Sequence, residues 1–158
     1  MTEKTYPWIE EVVAPAVESD SHVTNIQIAD LMFQAWMHYL SLGLDLDREA
    51  VFGSGWRPIV RAISAQFEAE VSSCELLRCG VRAESRSRSA FTLEQQLWRA
   101  DGNRSVASGT VVLVSIEAGS GKVTAIPETF WKAVESTEGR AIPASQPARR
   151  MAVDQPAS

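Results

Sequence analysis

Two cysteines and two histidines in 158 residues set the first limits. Cys74 and Cys79 are too few for a disulfide framework, and neither has a His or Cys partner at zinc-ligand spacing. Reduced thiols, and so a cytoplasmic protein, are the expectation. His22 and His38 cannot supply a three-histidine catalytic metal site, so no metal is expected. No apolar stretch approaches the roughly 18 residues that cross a bilayer, so no membrane span is expected. Residues 1–11 lack the basic start and apolar run of a signal peptide. The basic excess that nucleic acid demands is missing too: 15 Lys and Arg face 20 Asp and Glu, a net charge of −5, so no nucleic-acid partner is expected.

What remains is an ordinary globular composition, 45% hydrophobic and 22% charged, of a size that one domain accounts for. Its strongest signal is a helix. Ile28, Leu31, Met32, Ala35, Trp36, Tyr39 and Leu40 recur at steps of three and one, and Ala29, Phe33, Met37 and Leu42 carry the apolar surface nearly around the cylinder. Only Gln27, Asp30, Gln34, His38 and Ser41 are polar, in one narrow stripe, so the helix is expected to be buried on most sides, with Gly43 as its C′ stop.

Around it the pattern is that of strands. Residues 7–17 read as a ragged edge strand broken by Pro15. Residues 57–67 are rich in β-branched and aromatic side chains, and residues 76–84 alternate, with Leu77, Cys79, Val81 and Ala83 on one face. Residues 90–99 place Phe91, Leu93 and Leu97 on one face, and Asp101-Gly102-Asn103 marks a hairpin turn. Residues 106–117 contain Val111-Val112-Leu113-Val114, a run that suggests burial on both faces. Pro127 opens a short helix expected to reach Val134. Residues 1–138 are read as one domain, and residues 139–158, rich in Ala, Pro, Ser, Gln and Arg, as a disordered tail.

This order matches the α+β hotdog fold, a curved antiparallel β-sheet wrapped around one long buried helix. Local motifs sharpen the match. Glu18-Ser19-Asp20-Ser21-His22-Val23-Thr24-Asn25 resembles the D-x-x-G-H-V-N-N motif of the 4-hydroxybenzoyl-CoA thioesterase family, with Glu18 on the acidic position and Ser21 on the glycine. Arg86-Ser87-Arg88-Ser89-Ala90-Phe91-Thr92-Leu93-Glu94 resembles that family's R-S-S-F-T-F-E strand opening. Ala107-Ser108-Gly109-Thr110 resembles its A-x-G strand, and Ile126-Pro127-Glu128 the I-P-E that opens its C-terminal helix. The resemblance implies hydrolysis of an acyl-CoA or acyl-carrier-protein thioester by a homodimer or homotetramer, with no cofactor, since coenzyme A is part of the substrate.

Thioester hydrolysis needs a base or nucleophile and something to hold charge on the carbonyl oxygen. The resemblance gives Glu18 the first role, directly or through water; as residues alone, Glu18 reads equally as a solvated loop carboxylate or a cap partner. The helix N-terminus near His22, Val23 and Asn25 offers backbone N–H groups for the carbonyl. His22 orients Glu18, bonds the acyl carbonyl, or is satisfied by backbone; Asn25 touches substrate or caps the helix. Asp30, with Gln34 on the same stripe, is a second candidate base or a polar group in an interface. Arg82, Arg86 and Arg88, with Arg57 and Arg61 as neighbours, make the basic cluster that the phosphates of coenzyme A require. Trp56, Phe52, Trp36 and Met37 either line an acyl pocket or pack in the core. Two other functions fit the same residues: a non-catalytic acyl-CoA-binding module, and a hydratase or dehydratase using His22 and Glu18, although the H-F-P-G signature of the latter is absent.

Overall fold

Alternating side chains become strands, and the three-and-four repeat becomes a helix. The computed structural model describes residues 5–44, 46–47, 49, 52–53 and 55–145. The strands are β1 (Trp8–Val13), β2 (Trp56–Phe67), β3 (Leu76–Arg86), β4 (Ala90–Arg99) and β5 (Ser105–Glu117). All neighbours pair antiparallel in the order β1-β3-β4-β5-β2, which leaves β1 and β2 at the edges. Helix α1 (Asn25–His38) lies between β1 and β2 in sequence, continues as a π-helical turn (Tyr39–Gly43), and packs on β3 and β4. Helix α2 (Glu128–Glu138) follows β5. Register shifts at Val60/Ala62, Ala83/Ser85 and Leu97/Trp98 are the bulges that curve such a sheet. This is the hotdog arrangement.

The faces of the sheet follow the sequence. Leu77, Cys79, Val81 and Ala83 of β3, Phe91, Leu93 and Leu97 of β4, and Val111 and Leu113 of β5 form one core with Ile28, Met32, Ala35 and Tyr39 of the helix. The hairpin between β4 and β5 turns at Gly102 (φ +81°) and Asn103 (φ +54°), residues that tolerate left-handed backbone.

Several expectations shift. Strand β1 ends at Val13; the Ala14 N–H still donates to Glu75 O, and Pro15, which has no N–H to give, follows it. Gly43 does not end the helix in a left-handed turn. A Cβ there would lie 2.8 Å from the Trp8 ring, so glycine is needed for close approach. The helix is also less buried than its composition implies. Ile26 is 83% exposed, and Met37 and Leu42 are exposed as well, because one sheet covers only one side of a helix. Helix α2 extends past Val134 to Glu138, where Gly139 (φ +67°) caps it.

The chain after Gly139 does not leave the domain at once. Arg86 and Ala144 form a parallel bridge, the Ser145 N–H donates to Arg86 O, and Ile142 is buried in the core. The remainder of the expected tail, residues 146–158, lies outside the described residues.

The reach of α2 matters because its last residue is a buried acid. The Glu138 side chain is 1% exposed. It accepts hydrogen bonds from the Tyr39 hydroxyl and, at 2.8 Å, from the Ala83 N–H, and pairs with Arg140 Nη2 at 3.0 Å. Burial, and then the charge of Glu138, push the Tyr39 phenol far up. Tyr6 lies against Gly80, with its hydroxyl 3.3 Å from Gln96 Oε1; burial pushes it up to about 12.

These are the only two tyrosines in the chain. Above the unfolded phenol value of about 10, the unfolded chain releases protons that the native state retains, so stability falls as pH rises. In an absorbance titration, native protein should show little phenolate at about pH 10.5, with Tyr6 ionising first near 12. Denatured protein should titrate both near 10. The urea midpoint should drop above about pH 10, and less steeply in Tyr39→Phe.

Candidate active site

A cavity of about 250 Å³ opens between α1 and the inner face of the sheet. Helix α1 contributes Ile26, Ala29, Asp30, Met32, Phe33 and Trp36; Ile63 and Ala65 of β2, Gln95 of β4 and Val111 of β5 complete the wall, with Ser64 and Thr110 at its border. The three-and-four spacing of the helix explains the grouping, since residues 26, 29, 30 and 33 share one face. Phe33 and Trp36 meet edge to face at 4.8 Å. Gly109, the glycine of the A-x-G strand, keeps the floor close. A Cβ there would lie 2.4 Å from Ser64 O and 3.3 Å from Met32 Cε.

The wall is largely hydrocarbon, with two functional side chains. Asp30 is its one carboxylate, and Asp30 Oδ2 accepts a hydrogen bond from Gln34 Nε2 at 2.9 Å. Gln95 is 5% exposed and donates from Nε2 to Met32 O at 2.6 Å. The sequence reading passed over Gln95. The signal was there: in the inward series Phe91, Leu93, Gln95, Leu97 it is the one polar residue.

The helix start narrows which amides could hold a carbonyl oxygen. Thr24, not Asn25, is the N-cap. Its Oγ1 accepts from the Gln27 N–H at 3.2 Å, and Gln27 Oε1 accepts from the Thr24 N–H at 2.9 Å. The Val23 N–H is also spent, on Val71 O at 3.1 Å, and the Val23 side chain packs in the core. The N–H groups of Asn25 and Ile26 remain, in the first turn where no residue four back can accept. Ile26 lines the cavity and Asn25 does not; Ile26 stands about one turn before Asp30.

The other expected residues are dispersed. Glu18 is exposed on the turn before α1, its carbonyl accepting from the Ser21 N–H. His22 is exposed and stands 3.6 Å from Glu70. Trp56 stacks on Phe52 at 5.0 Å and meets Phe130 edge-on at 5.3 Å, so it belongs to the core and not to the cavity. Arg57 is exposed on β2. The expected basic cluster divides. Arg82 pairs with Glu94 at 2.6 Å, whereas Arg86 and Arg88 border a separate cavity of about 390 Å³ beside Trp131. Arg86 lies 5.1 Å over the Trp131 ring and 3.8 Å from Glu135.

A larger cavity, about 520 Å³, lies by Tyr6 and Trp98, away from α1, and has no carboxylate on its wall. Cys79 is buried beside Gln95, and burial pushes its thiol up to about 12, which suits packing and not nucleophilic attack. Among the described residues no cluster of His, Cys, Asp or Glu could hold a metal ion, and no helix is long and apolar enough to cross a membrane.

Comparison with known proteins agrees with this fold. Residues 17–134 match the thioesterase-like superfamily. A protein of Pseudomonas aeruginosa strain PAO1 superposes with a TM-score of 0.70 at 22% identity, over 89% of this chain and 95% of its own. A 1,4-dihydroxy-2-naphthoyl-CoA thioesterase from Synechocystis superposes at 0.69 with 16% identity, over 80% and 94%. A thioesterase from Thermus thermophilus, complexed with coenzyme A and zinc, superposes at 0.66 with 20% identity, over 87% and 98%. At these identities the likeness establishes the fold. No curated protein matches the sequence.

The capping box can be tested without a substrate. Thr24→Ala should destabilise the protein by about 1 kcal/mol in urea unfolding, and Thr24→Ser should restore most of it.

Proposed function

The chain belongs to the thioesterase-like superfamily, and on that premise we propose that it hydrolyses an acyl-CoA thioester in the cavity between α1 and the sheet, with Asp30 as the driving carboxylate. The observation that carries this reading is that Asp30, although exposed, is the one carboxylate on a mostly apolar wall whose other polar residues are Gln95, Ser64 and Thr110. The acyl group lies in the cavity, and its carbonyl oxygen points at the Asn25 and Ile26 N–H groups, where the helix dipole favours developing negative charge. Asp30 takes a proton from a water whose oxygen bonds to the carbonyl carbon. The carbon–sulfur bond breaks, and the thiolate leaves as coenzyme A after taking up a proton. Direct attack by Asp30 on the same carbon, followed by hydrolysis of the resulting anhydride, is the covalent form of the same chemistry. Gln34 holds Asp30 by the 2.9 Å hydrogen bond. In this reading Arg86 and Arg88, which line a separate cavity, meet the phosphates of coenzyme A or of a carrier protein's phosphopantetheine arm.

Glu18 is the second reading, favoured by its place on the acidic position of the motif and by the turn that leads from it into α1. Thiol-release assays on matched variants separate the two. Asp30→Asn should lose at least about 100-fold in kcat and Glu18→Gln less than about threefold, magnitudes usual for a lost general base against a bystander. The reverse pattern moves the role to Glu18.

The working unit is a homodimer, or a tetramer of two such dimers, in the cytoplasm. Strand β2 is an edge with exposed Ile59, Val60, Ile63 and Phe67, and Ile63 and Ala65 also border the cavity. An unpaired apolar edge is a template for pairing with a second copy. Sedimentation velocity should give at least a dimer. Ile59→Lys combined with Ile63→Lys should shift it to monomer, with loss of thioesterase activity.

A further inference from the structure

Strand β3 outruns its neighbour. β1 pairs with it only from Leu76 to Val81, so residues 82–86 have no strand on that side. The end of α2 and the chain after it take that place. The Ala83 N–H donates to Glu138 at 2.8 Å, and Ala83 O accepts from Arg140. At the end of the strand the Arg86 N–H donates to Pro143 O at 2.9 Å, and the Ser145 N–H donates to Arg86 O at 2.7 Å. Ala144 forms the parallel bridge to Arg86, and Ile142, 4% exposed, seats the segment in the core. An open sheet edge satisfied by an extended segment is strand addition, here by the chain's own residues 142–145.

The same segment reaches the Arg86 side chain. Glu135 Oε1 accepts from the Ile142 N–H at 3.4 Å and stands 3.8 Å from Arg86 Nη1. That distance exceeds a hydrogen bond, and Nη1 has no hydrogen-bond partner among the described residues. Glu135 therefore orients the guanidinium, 5.1 Å over the Trp131 ring, without taking its hydrogen bonds. Ala144 borders the cavity of about 390 Å³ together with Arg86 and Arg88.

We infer that residues 142–145 are a positioning strap, which fixes the end of β3 so that Arg86 stands beside Arg88 at that cavity and meets the phosphates of coenzyme A. This rests on the assignment of those phosphates in the proposed function. Without the strap the Arg86 N–H and O would have only water on that side, at a strand end, where local opening costs least. Successive side chains of a strand point to opposite faces, so a frayed Arg86 has no fixed direction. Arginine grips phosphate through a planar fork, and its affinity depends on that direction. The strap acts on the nucleotide end of the ligand; none of its residues lines the cavity between α1 and the sheet.

The test compares free coenzyme A, which carries the phosphates, with pantetheine, which lacks them, by calorimetry. The full chain should bind coenzyme A more tightly, and Arg86→Ala should reduce that preference. Deleting residues 142–158 should cut the preference about tenfold, or about 1.4 kcal/mol, whereas deleting only residues 146–158 should leave it unchanged. Ser145→Pro keeps Ile142 but removes the N–H that bonds Arg86 O, and should lower the preference about threefold. Ser145→Ala keeps that N–H and should not lower it. Each ratio is taken within one variant, so it does not depend on how much of that variant is folded. A preference that survives deletion of residues 142–158, that falls as far when only residues 146–158 are removed, or that falls equally in Ser145→Ala and Ser145→Pro overturns the inference and leaves the phosphate assignment in place. If the full chain binds both ligands alike, or Arg86→Ala changes nothing, the phosphates lie elsewhere and both assignments fall. If the preference responds to the strap while no acyl-CoA releases thiol, hydrolysis is wrong and the strap stands.

Discussion

Helix α1 is apolar on more sides than one sheet can cover. Ile28, Met32, Ala35 and Tyr39 fill the concave face and are buried there. Ile26, Met37 and Leu42 then have no sheet to meet. Burying a large aliphatic side chain is worth about 1.5–3 kcal/mol, so such a face is retained where a ligand or another subunit gains from it. The cavity lies along the border between the covered and uncovered sides, where Phe33 and Trp36 meet Ile63 of the edge strand. The cavity and the proposed interface are thus consequences of one mismatch between a two-sided helix and a one-sided sheet.

The sheet supplies rigidity where the chemistry needs it. Gly109 allows β2 and Met32 to come near the floor, and Gln95 ties β4 to the middle of the helix. The polar groups on the outer face are mostly spent on one another. Arg82 pairs with Glu94, and Tyr6 with Gln96. Beyond that face Arg99 pairs with Glu75 and Arg140 with Glu138. Arg86, which the proposed function assigns with Arg88 to the phosphates, has a partner of its own in Glu135.

Most of the fold was legible because its signals are local and repetitive. Alternation in residues 76–84 and 90–99, the turn at Gly102-Asn103 and the helical repeat from Ile28 to Leu40 each specify an element by themselves. The exact stops were less legible, since they depend on distant partners. Trp8 against Gly43 sets how the helix ends, and Tyr39 and Ala83 reward four more residues of α2 by bonding Glu138. The site was legible in part. Asp30 and Gln34 stand together, as their spacing demands. The capping residue and the fate of each N–H were not, because Thr24 and Asn25 are both good caps and only the path of the chain past Val71 selects one. The arginines were grouped by sequence proximity, but Arg82 and Arg86 lie on either side of a bulge at Ala83/Ser85, which changes where they point.

The way α1 is anchored gives the site a direction. Its C-terminal end is held by Tyr39 on Glu138, by His38 Nδ1 at 2.9 Å from Glu10, and by the π-helical turn against Trp8. Its middle is held by Gln95. The N-terminal end carries its capping box and the bond of the Val23 N–H to Val71 O, and Ile26 there is open to water. A helix fastened at its negative end presents its positive end to whatever enters. In the proposed reaction the acyl thioester places its developing oxyanion at that end, and its carboxylate partner then lies about one turn along the same face. Asp30 is four residues from Ile26, which is that position. For the proposed hydrolysis, the anchoring, the dipole and Asp30 favour one orientation of the substrate, with the acyl group running toward Trp36 and the thiol leaving past the first turn of α1.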